Sequence, residues 1–222
     1  MLEIEEQHRK AINEAGLEML ALCKSQLQKA REAFINNDSD LAEEVLYRET
    51  HINALDLKIE KDCERFLALY NPVATDLRFI IAVLKINYEL ERIADHAFNI
   101  SKYVVENDKK IAPHLLKVLE FDKMYETIDT MMDHITFAYT EKDVKTARKV
   151  FKKDKVLDKI NINSFKIIEE AIIKDHKVIH DALLVFSVVK KLERVGDLIK
   201  NVAEEIIFYI DAEVLKHKKK KK

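Results

Sequence analysis

The segment Glu91-Arg92-Ile93-Ala94-Asp95-His96-Ala97-Phe98-Asn99-Ile100 returns 102 positions later as Glu193-Arg194-Val195-Gly196-Asp197-Leu198-Ile199-Lys200-Asn201-Val202. Glu, Arg, Asp and Asn keep their register with aliphatic residues between them, and a match of this kind marks one structural unit written twice. Each copy must therefore bury its apolar surface in the same way, which limits the fold before any element is assigned.

Composition says what kind of unit it is. Two glycines and two prolines in 222 residues are too few for sheets and turn-rich folds, whereas long helices with short joints need almost none. The fold class is all-α, and 48% hydrophobic residues supply a sizeable core. Apolar residues at helical spacing predict a first helix from Leu2 to Ile35. The capping run Asn36–Asp40 opens a second, which ends at Asn71-Pro72 because a residue before proline avoids helical angles. A third runs to about Val105. Asn107-Asp108-Lys109-Lys110 with Pro113 breaks the chain near its middle. Helices are then expected over Leu115–Tyr139, over Asp143–Ile173, and from the polar joint Asp175-His176 to about Val214. The expectation is two pseudo-symmetric three-helix bundles, residues 1–108 and 112–215, with a basic tail at 216–222.

Residues four apart on a helix stand one above the other, so Glu91/Asp95 and Glu193/Asp197 each present two carboxylates to one patch of space. Ile86, Leu90, Ile93, Ala97, Ile100 and Val104 form the core stripe of the third helix, and the carboxylates fall on the opposite side. They continue a second apolar strip, Leu77, Ile81, Leu84 and Tyr88; the other copy repeats this with Ile179, Leu183 and Phe186. The second helices carry acids at the same spacing, Asp154 with Asp158 and Glu49 with the neutral Asn53, at an offset of 105. In an antiparallel bundle the second and third helices are neighbours, so a patch of acids forms where they meet. The candidate metal ligands are Glu49, Glu91, Asp95, Asp154, Asp158, Glu193 and Asp197. Such oxygen-rich sets suit magnesium or manganese and the oxygen-tolerant iron and zinc. With four carboxylates against three, the second copy is expected to fill first.

Other chemistries are disfavoured. A di-iron carboxylate enzyme needs two Glu-x-x-His motifs, and only Glu5 with His8 has that spacing. No phosphate-cradling glycine-rich loop and no Cys/His nucleophile arrangement is present, so the chain reads as a non-enzyme. His51, His96, His134 and His180 read as polar-face or partner-facing residues. Lysines 216, 218, 219, 220, 221 and 222 hold the formal charge at −2, which leaves an acidic body that argues against nucleic-acid binding. Cys23 and Cys63 follow no metal or redox spacing and read as buried residues of a reducing compartment. Apolar runs are far shorter than the roughly 20 residues a membrane span requires, and the opening residues lack a signal run. A cytoplasmic protein, peripheral to the membrane at most, is expected.

Asn71-Pro72-Val73-Ala74-Thr75-Asp76-Leu77-Arg78 resembles the Pro-Val-Ala-x-Asp-Leu-Arg helix opening of the PhoU family of phosphate-transport regulators. The two Glu-Arg-(Ile/Val)-(Ala/Gly)-Asp segments with their later Asn complete the likeness over the whole chain. The resemblance implies paired three-helix bundles, acidic motifs that hold multinuclear metal clusters, and a homodimer. It also implies negative regulation of the phosphate-starvation response through a sensor histidine kinase and the ATPase of the phosphate ABC transporter. Asn53 departs from the family's acid, Ala94 from its usual Gly, and Leu198 from the His that often follows the Asp. A metal-free helical adaptor, or an accessory protein of a different phosphate permease, stays open as the alternative.

Overall fold

The computed structural model describes residues 2–107 and 109–215, and every regular element among them is helical. The basic tail lies outside the described residues. Helix α1 spans Leu2–Asn36, and Asn37 (φ 56°) turns the chain in the left-handed region that Asn tolerates. Asp38 then caps α2, Ser39–Tyr70, by accepting from the Leu41 amide at 2.9 Å. Asn71, again left-handed, ends it before Pro72, and α3 covers Ala74–Val105.

The second copy is less regular than its sequence predicts. Its first helix is split into α4, Pro113–Val118, and α5, Phe121–Glu141, by Glu120 at φ 50°. Leu119 and Phe121 are both buried; a straight helix sets such neighbours about 200° apart, and the break turns both inward. The expected helix from Asp143 is also split. Asp143 caps α6, Val144–Ala147, through the Lys145 amide, and α7, Val150–Lys174, follows a turn at Arg148-Lys149. A single 3₁₀ turn, His176–Val178, leads into α8, Ile179–Asp211, which stops short of the expected Val214 where Ala212 turns left-handed.

Helices α1, α2 and α3 pack on one another, α5, α7 and α8 do the same, and α3 lies against α8 to join the two units. The stripe from Ile86 to Val104 is buried, as are its counterparts Val195, Ile199, Val202 and Ile206. At about 1.5–3 kcal/mol for each large aliphatic side chain, these stripes hold α3 and α8 at the centre. Polar ties cross the joint: Lys85 Nζ meets Glu205 Oε2 at 3.1 Å, and Asn201 Nδ2 donates to Glu89 Oε1 at 3.3 Å. Gly196 permits the close approach of α7, since a Cβ there would stand 2.3 Å from Leu157 Cδ1. Cys23 and Cys63 are buried free thiols. No described helix is long and apolar enough to cross a membrane.

Candidate metal centres

Packing of α2 on α3 brings Glu49, Asn53, Glu91 and Asp95 together. Glu49 lies against Asp95, within hydrogen-bonding reach of it and of Asn53. Burial, then the charges of Asp95 and Glu91, push the Glu49 carboxyl up to about 7. Glu91 is raised as well, by burial and then by Asp95 and Asp56, with Arg92 opposing. None of Glu49, Glu91 and Asp95 forms an ion pair within 4 Å among the described residues. Arg92 turns instead to Glu89, at 3.4 Å, and over the Tyr88 ring.

Asp56 is a member that the four-residue spacing missed. Two turns beyond Glu49, it accepts from Asn87 Nδ2 at 2.6 Å and adds its charge to Glu91. It adds a fourth acid to the first patch, at its Glu91 side.

The second patch gathers Asp154, Asp158, Glu193 and Asp197 where α7 meets α8, with Asn161, the counterpart of Asp56, within hydrogen-bonding reach of Glu193. Its electrostatics differ. Lys200 Nζ donates to Asp154 Oδ2 at 2.9 Å and to Asp197 Oδ1. Burial alone would lower the Lys200 ammonium, but the two carboxylates outweigh it and hold the group above the ordinary lysine range. Asp154 is only 5% exposed, and its Oδ1 has no hydrogen-bond partner. Burial raises its carboxyl despite Lys200. The four carboxylates of the second patch are thus partly neutralised by a lysine that the first patch lacks. The spacing of acids alone does not reveal a lysine three residues beyond Asp197.

The first patch fits a hard cation, because its donors are carboxylate oxygens from two helices whose mutual repulsion such an ion would relieve. Among the described residues no three His, Cys, Asp or Glu side chains are placed to hold a metal ion, so the acids would have to move towards one another to do so. Between the patches, α3 and α8 border a cleft of about 330 Å³ lined by the matched pairs Arg92/Arg194, Asp95/Asp197, His96/Leu198 and Asn99/Asn201. His96 is half-buried there with Nδ1 unpartnered, and burial, with Lys191, Arg194 and Arg92 around it, pushes its imidazole down to about 4. It is a neutral group near pH 7.

Two three-helix units joined along their third helices, each with an acidic patch beside that joint, define a class of duplicated helical-bundle proteins. Within that class the chain belongs to the PhoU domain family, whose model matches residues 17–104 and 121–206. It is 33% identical to the phosphate-specific transport system accessory protein PhoU homolog of Zymomonas mobilis, over 86% of this chain and 80% of that one. It is 28% identical to the accessory protein PhoU of Escherichia coli, over 90% and 82%. Among solved structures, the crystal structure of PhoU from Pseudomonas aeruginosa superposes with a TM-score of 0.86 at 26% identity, covering 94% of this chain and 99% of that one. The phosphate transport system regulatory protein PhoU from Streptococcus pneumoniae gives 0.84 at 25% identity, covering 95% and 99%.

Proposed function

We propose that this protein is an accessory regulator of phosphate transport that restrains the phosphate-starvation response, linking the ATPase of a phosphate ABC transporter to a sensor histidine kinase. The observation that carries the reading is the family match in both copies, together with relatives named for phosphate-specific transport that align over most of their own length. The protein acts by binding, not by catalysis, from the cytoplasmic side. The first patch, Glu49, Asp56, Glu91 and Asp95, takes a divalent or trivalent ion such as manganese, magnesium, zinc or iron. Supporting this is the concentration of charge with no paired cation.

Leu77, Tyr88, Ile179 and Leu183 leave apolar surface exposed on the stretches of α3 and α8 that precede the acids. Such surface suits a homodimer contact or a docking face. In phosphate-replete cells lacking this protein, a phosphate-starvation reporter should switch on and should be silenced by restoring the wild-type chain. Pull-down from the same cells should recover the transporter ATPase and the kinase. A reporter that stays off without the protein, with neither partner recovered, would count against the reading.

A further inference from the structure

We infer that Lys200 is the built-in cation of the second acidic patch, its ammonium standing between Asp154 and Asp197 where a metal ion would otherwise bridge them, so that ions load at the first patch. The inference rests on reading the first-patch acids as a cation site. The repeat itself supplies the control. Asp154 corresponds to Glu49 and Asp197 to Asp95, but the position of Lys200 is held in the first copy by Phe98, which brings no charge. Glu49 and Asp95 therefore face each other unbridged, while Asp154 and Asp197 share a donor carried one turn further along α8.

The ammonium is held from both sides. Asp154 comes from α7 and is more than nine-tenths buried, with one oxygen on Lys200 at 2.9 Å and the other unpartnered. A metal entering this patch must displace two charge-assisted hydrogen bonds, and the loss of one such bond is enough to weaken binding by about ten- to a hundredfold. Removing the lysine would leave a buried, doubly available carboxylate facing Asp197. An inbound ion could use both oxygens of Asp154. The two halves of a duplicated protein thus become unequal: one patch is open to ions, and the other is closed by its own side chain.

Calorimetric titration of the full chain with manganese chloride in chelator-free buffer tests this, using wild type, Lys200→Met and Phe98→Lys. One ion on wild type, two on Lys200→Met and none on Phe98→Lys is the expected pattern. If wild type binds none but Lys200→Met binds one, the Lys200 inference holds and the first-patch reading fails. Two ions of similar affinity on wild type, or no gain on a folded Lys200→Met, would overturn it. Should Lys200→Met fail to fold, Phe98→Lys decides: loss of the wild-type site supports a lysine as the blocking cation, and unchanged binding overturns it.

Discussion

Replacing Glu49 by Gln removes one carboxylate from a patch without a paired cation, and it should stabilise the metal-free protein in a pH-dependent way. Burial and the facing charges of Asp95 and Glu91 raise the Glu49 carboxyl from 4.5 to about 7. In the unfolded chain the same group releases its proton near 4.5, so between about pH 4.5 and 7 the folded state binds more protons and stability falls as pH rises. Below that window Glu49 is neutral in both states and Gln is nearly equivalent. A tenfold change in proton affinity is about 1.4 kcal/mol, so the unscreened penalty above pH 7 is about 3 kcal/mol. Glu49 is partly open to solvent, and screening brings the figure to about 1 kcal/mol. For a chain of this size that moves the melting midpoint by about 2–4 °C. Thermal unfolding by circular dichroism, with chelator and low salt, should place Glu49→Gln above wild type by that margin at pH 8 and level with it at pH 4.5. High salt should shrink the gap, and manganese should raise wild type more than the variant. A gap of equal size at both pH values, or a variant that melts lower at pH 8, would refute the reasoning.

Gly196→Ala places a methyl against Leu157 Cδ1; overpacking exceeds the gain in helix propensity, for a net loss of about 1 kcal/mol in urea titration, and the sign should invert in a Leu157→Ala background. Lys85→Met takes away a cation 3.1 Å from the buried Glu205 and should lower stability by about 1 kcal/mol in the same assay. Leu183→Asp alters a side chain that is 54% exposed; it should leave the melting midpoint within about 1 °C, as exposed substitutions usually do, while sedimentation shows a dimer converted to monomer.

The duplicated Glu-Arg-x-x-Asp segments made the helical repeat legible, because a period survives wherever both copies bury the same stripe. The capping of α2 by Asp38 and its end at Asn71-Pro72 were equally readable, each resting on local backbone chemistry. The break at Leu119-Glu120 was not: it contains neither Gly nor Pro and follows from two near neighbours both being drawn into the core. At the site, acids four apart were found by spacing, but Asp56 and Lys200 enter from seven residues along α2 and three along α8. Their roles depend on which side chains face each other across a helix pair, and one helix's periodicity does not contain that. Asn53 reads as a loss of charge for the first copy, and the spacing argument gives Lys200 no role.

The most direct measurement is anomalous diffraction from a crystal grown without chelator and soaked in manganese chloride. A peak among Glu49, Asp56, Glu91 and Asp95, with density at the second patch explained by the Lys200 ammonium between Asp154 and Asp197, is the predicted result. A peak of equal height at the second patch, or one there alone, would contradict the account.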